Sequence, residues 1–157
     1  MDLPISGARA LPPGHLLREV CDTAPDYATA LRQLRETPIA AAAAFTLAGT
    51  RAGEATVIER AGTAHALRPA TPVVAVANHW GGLAHPGAPR WLESHARQRR
   101  MAAVLDASPV APGFAWLAPP LANPGTRLVA VIRPEAGMLE LVGMNGERRV
   151  SGILTID

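Results

Sequence analysis

The stretch VVAVANHWGGLAHPGAPRW, residues 73–91, holds the residues of this chain that are best placed to do chemistry. Its first five residues are apolar and predict a buried strand that ends at Asn78. The tryptophan, glycines and prolines that follow cannot continue a strand and predict a shaped loop. A side-chain amide at a strand end can donate a hydrogen bond to a substrate carbonyl. It can also simply start a turn, which is the commoner role for such a residue.

Two further sets of side chains could do chemistry. His79, His85 and His95, with Glu93 beside them, carry metal-ligating groups, but their spacing matches no metal-ligand motif. Cys21 is the single cysteine, which excludes an intrachain disulfide. It falls on the apolar face of a predicted helix, so we expect a buried structural thiol and not a nucleophile.

The composition is typical of one domain. The chain has 157 residues, 48% of them hydrophobic, which is enough for one core, so a single domain over residues 1–157 is expected. A net charge of +2 with interleaved acids and bases argues against nucleic acid as a partner. No apolar stretch reaches the ~18 residues of a membrane span, and residues 1–14 lack the apolar run of a signal peptide. We therefore predict a cytoplasmic protein with no transmembrane segment and no cofactor.

Helical spacing predicts three helices. The first is HLLREVCDTA, which follows the Pro-Pro-Gly sequence at residues 12–14. Asp26 can cap the second, which should end before Pro38. Glu93 and Ser94 can cap a third that continues through residue 107.

Strand patterns separated by short turns fill most of the remaining chain. The predicted strands are IAAAAAFTLAG, EATVIER, TAHALRP and VVAVAN before the third helix, and LVAVIRP, MLELVGM and ERRVSGILTI after it. Residues 108–126 are rich in proline yet apolar, so we expect them to wrap the core. The predicted fold class is α+β, with a mostly antiparallel sheet and flanking helices.

Four of these segments, in their order and spacing, resemble the carboxyl-terminal half of a family of linear amide hydrolases. The segments are TPIAAAAAFTLAGTRAGEATVIERAG, VVAVANHW, the helix SHARQRRMAAVL and the closing hairpin RLVAVIRPEAGMLELV. The family is typified by acid ceramidase and N-acylethanolamine acid amidase, with choloylglycine hydrolase and penicillin V acylase as more distant relatives. The resemblance runs from about Leu11 to the carboxyl terminus.

The resemblance implies an N-terminal-nucleophile hydrolase whose two sheets lie between helix layers in an αββα sandwich. In such enzymes a cysteine exposed by self-cleavage attacks an amide and forms an acyl-enzyme, its own amine accepting the thiol proton. By this resemblance Asn78 is the oxyanion asparagine, and Arg97 is the arginine that organises the nucleophile, with Arg90 as the alternative. Trp80 and Trp91 are then candidates for binding an N-acyl amide substrate.

The chain departs from the family in one large respect. The half that carries the nucleophile has no counterpart here, and the internal Cys21 lacks a free α-amine. Three explanations follow: a separate polypeptide supplies that half, the sequence is a fragment, or the domain binds ligand without catalysis. The first two predict an exposed apolar surface for the missing sheet. A homo-oligomer is a further candidate partner, and a non-catalytic binding or interaction module is the competing function.

Overall fold

The computed structural model describes residues 10–85, 93–107 and 112–157 of the chain. It begins with two helices, α1 (Pro13–Thr23) and α2 (Tyr27–Glu36). The Asp26 carboxylate accepts a 2.7 Å hydrogen bond from the backbone N–H of Thr29. The predicted cap of α2 is therefore confirmed, because the carboxylate satisfies one of the N–H groups that a helix start leaves unpaired.

The helices pack on a first antiparallel sheet, formed by β1 (Ala43–Ala48), β2 (Ala55–Ala61) and β3 (Ala64–Pro69) in that order. Phe45 lies opposite Ile58 in the register, and both point to the helices. The core between helices and sheet consists of Leu16, Val20, Ala30, Leu34, Ile39, Phe45 and Ile58.

Arg60 ties the second helix to this sheet. Its side chain is only 2% exposed and donates hydrogen bonds to the carbonyl of Leu34 at 2.5 Å and that of Thr37 at 3.0 Å. The carbonyls at the end of α2 have no partner within the helix, so a buried guanidinium there satisfies them. Arg60 therefore holds α2 against the first sheet.

The predicted strand over VVAVAN does not form. Residues 73–76 belong to neither sheet, and β3 is the last strand of the first one. The Ala75 carbonyl instead accepts from Arg68 Nη2 at 3.0 Å and from Gln98 Nε2 at 2.9 Å. Side chains take the place of a neighbouring strand, so the prediction of a sheet strand ending at Asn78 is wrong, although Ala75 itself is buried.

The predicted burial of Cys21 is also wrong, since this thiol is exposed. The residues of α1 that enter the core are Leu16 and Val20, whereas Leu17 is 43% exposed. The predicted apolar face contained Leu17, Val20 and Cys21; Val20 is buried as predicted, but Leu16, about 100° from Leu17 around the helix, takes the place of Leu17. Cys21 follows Leu17 at a spacing of four, so both residues lie on the same side of α1, away from the core.

The third helix, α3 (Ser94–Asp106), begins and ends close to the predicted positions. Its predicted cap is wrong, because Glu93 has a left-handed backbone (φ 66°) and makes no side-chain capping bond. The Ser94 hydroxyl is engaged instead by the imidazole of His79. This end of the helix is fixed by the loop that follows Asn78.

A second antiparallel sheet contains β4 (Leu128–Arg133), β5 (Met138–Asn145) and β6 (Arg148–Ile156) in sequence order. One face carries Val142 and Met144, which pack against Phe114, with Trp116 and Leu117 alongside. The described part of the proline-rich segment thus covers this sheet, as predicted.

The opposite face of the second sheet is apolar and exposed. Its residues follow from the register, in which Leu128 pairs with Gly143, Ile132 with Leu139, Leu139 with Ile156 and Leu141 with Leu154. Four of them are about half exposed or more: Leu128 (63%), Ile132 (66%), Leu154 (57%) and Ile156 (49%). We call these four residues, with Leu139 and Leu141, the open sheet face. Apolar patches larger than a few hundred Å² are uncommon on monomers and usually contact a partner.

The fold class is α+β, built from two three-stranded antiparallel sheets, as predicted. Among the described residues, no helix has the length and apolar character needed to span a bilayer. The first sheet and α3 both contact the segment around Asn78, so these elements position it.

Candidate functional site

Asn78 and Arg97 lie in direct contact. Arg97 Nη2 donates a 2.7 Å hydrogen bond to Asn78 Oδ1, across 19 positions of sequence. A guanidinium has donors only, so the oxygen of the asparagine amide must face it and the orientation of the amide is fixed. Arg97, the first choice for the family arginine, reaches Asn78. Arg90 lies outside the described residues.

This orientation leaves the amide nitrogen of Asn78 as a donor. Among the described residues, Arg97 is the hydrogen-bond partner of the Asn78 side chain, and it occupies the oxygen. Asn78 and Arg97 both line an open cavity of about 480 Å³, together with Trp116, Leu117 and Leu128. The arrangement can therefore present a pre-oriented N–H to an oxygen of a bound molecule.

The residue after Asn78 is held by α3. Gln98 Nε2 donates to the Ala75 carbonyl at 2.9 Å, so Gln98 Oε1 is left to accept from His79 Nε2–H at 3.0 Å. Nδ1 of the same ring lies 2.7 Å from the Ser94 hydroxyl and hydrogen-bonds to it. Ser94 is 2% exposed, so this hydroxyl works as an anchor for the loop.

The next part of the loop is held by a buried carboxylate on β2. Glu59 is 0% exposed, and its oxygens accept from the backbone N–H groups of Gly81 (2.8 Å), Gly82 (2.9 Å) and Leu83 (2.8 Å). Arg68 Nη1 is a fourth donor at 3.0 Å. We call these residues the Glu59 clamp. It connects the loop after Asn78 to the centre of the first sheet.

The lowered pKa of Glu59 and the glycine at position 81 are both consistent with the Glu59 clamp. Burial alone would raise the pKa of the Glu59 carboxyl, but the N–H groups of Gly82, Gly81 and Leu83 and the Arg68 guanidinium together lower that pKa below its ordinary value. A β-carbon on Gly81 would lie 2.5 Å from Arg68 Nη1. Glycine at this position therefore lets the chain approach the ion pair without displacing it.

Asn78 is thus fixed from both sides of the chain. Arg68 bridges the two sides, because Nη1 binds Glu59 and Nη2 binds the Ala75 carbonyl. Every anchor is a buried or half-buried side chain on β2, β3 or α3. Rigid support of this kind is what an oxyanion donor needs, since a preoriented dipole has no reorganisation to make during the reaction.

Sequence reasoning missed the Glu59 clamp. Glu59 lies in the strand EATVIER, where Ala55–Ala61 is buried along almost its whole length. An acidic residue inside a central buried strand requires a partner, and that was the available signal. The partner could not be read from the sequence, because the three backbone donors lie more than 20 positions away.

Of the two tryptophans expected to bind substrate, Trp80 is not among the described residues that line the cavity. Trp80 is half-buried, and its ring centroid lies 6.1 Å from that of His85. Trp91 lies outside the described residues. Trp116 is the tryptophan that lines the cavity with Asn78, and its position in a proline-rich loop gave no sign of this role.

The histidines do not form a metal centre in the described part of the chain. The rings of His79 and His95 are in contact, with centroids 3.8 Å apart and planes tilted by 41°. No group of three metal-ligating side chains occurs among residues 10–85, 93–107 and 112–157. His79 instead uses both ring nitrogens to hold α3 and the loop together.

The site therefore consists of an oriented asparagine amide, an arginine in contact with it and a half-apolar cavity, supported by the Glu59 clamp and α3. Comparisons with protein-family models, with curated proteins and with solved structures found no match to this chain.

Proposed function

We propose that this chain is the oxyanion-binding part of an amide hydrolase that works through an acyl-enzyme. One observation carries the proposal: Arg97 fixes the Asn78 amide so that its nitrogen is the donor at an open cavity. When a carbonyl carbon becomes tetrahedral, its oxygen gains negative charge. A preoriented N–H that receives this charge stabilises the transition state by roughly 3 kcal/mol in comparable sites.

The lining of the cavity supports an N-acyl amide as substrate. Trp116, Leu117, Leu121 and Leu128 line the cavity with apolar groups that an acyl group can contact. Arg97 adds a positive charge beside the asparagine. Such a charge favours the developing oxyanion and also a nearby thiolate.

The nucleophile is proposed to come from outside the described residues. Thr126 supplies a hydroxyl to the cavity, but no Asp, Glu or His among the described residues lines the cavity with it to accept its proton. Ser94 is enclosed, and Cys21 lies on α1. A second polypeptide or a further segment that carries an N-terminal nucleophile would complete the site, as in an αββα sandwich.

The open sheet face supports this two-part arrangement. Leu128 is 63% exposed on that face and also lines the cavity. A sheet packed on the open face would therefore lie next to Asn78. Sheets that pack face to face are about 10 Å apart, close enough for a strand end of the covering sheet to reach the cavity.

The competing proposal is a binding module without catalysis. It is favoured by the same observation that requires a second part, namely that no activated nucleophile lies at the cavity in the described residues. Both proposals expect binding of an apolar acyl group. They differ in whether Asn78 lowers the barrier of carbonyl addition.

A small aminothiol can test this difference. Cysteamine has the amine and thiol of an N-terminal cysteine, and 4-nitrophenyl hexanoate has a reactive acyl carbonyl. The cysteamine thiol loses its proton to the buffer, its sulfur forms a bond to the acyl carbon, the carbon–oxygen bond breaks, and nitrophenolate leaves. We expect the chain to increase the thiol-dependent release of nitrophenolate above the rate in buffer, with saturation in ester. Cys21→Ser serves as the control for acylation of that thiol.

Two results would count against the hydrolase proposal. A rate equal to that in buffer, although the ester binds, would favour the binding module. Release that disappears in Cys21→Ser, together with an acyl adduct on Cys21 by intact mass, would assign the reaction to the exposed thiol and not to the Asn78 site.

A further inference from the structure

The cavity at Asn78 has an unbalanced charge. Arg97 and Arg127 both line it, and no Asp or Glu is among its described lining residues. The chain as a whole is close to neutral, with 15 basic and 13 acidic residues. Two arginines without an acid in one concavity are therefore a local feature that needs an explanation.

Neither arginine is neutralised by an ion pair in the described residues. The ion pairs there involve Arg18, Arg35, Arg68 and Arg133. Arg97 contacts the neutral amide of Asn78. Arg127 Nη1 donates to the carbonyls of Pro124 (2.8 Å) and Thr126 (3.0 Å), which leaves Nη2 and Nε of this guanidinium as further donors.

Outside the described ranges, the sequence contains one acidic residue, Asp2 near the amino terminus. The sequences of residues 86–92 and 108–111 are PGAPRWL and SPVA, and they contain no acidic residue. Like charges on the wall of a cleft raise the local concentration of oppositely charged ligands. Guanidinium groups with open donors bind carboxylates in preference to neutral amides.

We propose that the cavity binds an anionic amide: a small molecule with an apolar acyl group and a carboxylate next to the amide bond. The apolar lining residues contact the acyl group, Asn78 Nδ2 donates to the amide carbonyl, and Arg127 binds the carboxylate. This assignment rests on the proposed function for its choice of an amide. It adds a class of substrate, acylated amino acids and similar acids, and a residue that selects this class.

The test compares two ligands that differ only in charge. N-hexanoylglycine and N-hexanoylglycinamide are titrated separately into the ¹⁵N-labelled 157-residue chain at pH 7, and dissociation constants are taken from amide resonances. We expect the acid to bind roughly tenfold more tightly, as a charge-assisted hydrogen bond predicts. This preference should weaken as salt is added.

Variants of Arg127 locate the effect. Arg127→Gln should remove most of the preference for the acid, and Arg127→Lys should restore part of it. Arg32→Gln is the matched control, because Arg32 is exposed on α2 and should leave the preference unchanged. Dispersion of the NMR spectrum shows that each variant is folded.

Three results would overturn the assignment: equal affinity for the two ligands, a preference that survives in Arg127→Gln, or no binding of either ligand. The titration measures binding without turnover. A chain that prefers the acid but does not accelerate the cysteamine reaction would retain this inference and lose the hydrolase proposal. A chain that accelerates the cysteamine reaction but does not prefer the acid would retain the hydrolase proposal and exclude anionic substrates.

Discussion

Replacing Asn78 with alanine should lower the thiol-dependent acyl transfer of the chain by roughly 100-fold, the loss seen when one oxyanion donor is removed. The substitution deletes the amide nitrogen of a cavity-lining residue whose amide oxygen is bound by Arg97. The same initial-rate assay with cysteamine and 4-nitrophenyl hexanoate measures the change. Ester affinity should change little, because the donor acts mainly on the transition state.

Two matched variants separate chemistry from folding. Asn78→Asp keeps the size of the side chain but has no N–H₂ group, and it should lose as much rate as Asn78→Ala. Asn145→Ala removes an exposed asparagine at the end of β5 and should react like the unchanged chain. A loss of less than about threefold in both Asn78 variants would mean that this amide is not the oxyanion donor.

Replacing Glu59 with glutamine should lower the free energy of unfolding by about 3 kcal/mol, a large share of the stability of a domain. The carboxylate accepts from three backbone N–H groups and from Arg68. Glutamine offers one acceptor oxygen, and its N–H₂ group must then face donors. At least one buried donor is left unsatisfied and Arg68 loses its counter-charge. Urea unfolding of both proteins at pH 7 measures the difference.

The destabilisation should depend on pH in a defined direction. The folded-state pKa of Glu59 is lower than its ordinary value, so its ionised form contributes stability above the unfolded pKa of about 4.3. That contribution is lost as pH falls below this value and through the folded pKa. The gap between the unchanged chain and Glu59→Gln should therefore be full at pH 7 and shrink in acid.

Glu147→Gln is the control for the loss of a negative charge, because Glu147 is exposed. It should change the free energy of unfolding by no more than ~0.5 kcal/mol. Two results would show that Glu59 does not stabilise the fold in this way. One is an equal free energy of unfolding for Glu59→Gln and Glu147→Gln. The other is a stability difference between the unchanged chain and Glu59→Gln that grows toward low pH.

Local patterns predicted most of the secondary structure. Short strand-forming runs bounded by turns located β1 through β6, because each strand pairs with a neighbour in the chain. Asp26 predicted the start of α2, since its capping bond spans only three residues. Such features depend on nearby residues alone.

The errors arose where distant contacts decide the structure. The apolar run before Asn78 has strand composition, but its Ala75 carbonyl is taken by side chains from β3 and α3. Cys21 was misplaced because Leu16 and Leu17 are both apolar, and packing alone decides which of them faces the sheet. Periodicity over so short a helix does not fix its rotation to better than one residue.

The candidate site likewise contains residues that the sequence predicted and residues that it could not predict. Asn78 and Arg97 were selected by a family resemblance, and in the structure they are in contact. The cavity around them is formed by a loop and strand about 20 to 50 residues later in the chain, so Trp116 and Arg127 could not be associated with Asn78 from the sequence. The Glu59 clamp depends on a carboxylate and a loop that only the fold brings together.

The side-chain amide of Asn78 can be observed directly. Its ¹⁵N–¹H₂ resonances are assigned by their absence in Asn78→Asp and followed while N-hexanoylglycine is added. We expect one of the two Nδ2 protons to move downfield as it bonds the ligand carbonyl, and Arg97→Ala, which releases the Asn78 oxygen, to reduce this movement. If backbone resonances around the cavity shift on binding while both Asn78 protons stay in place, Asn78 does not donate to the substrate and its assignment as the oxyanion residue is wrong.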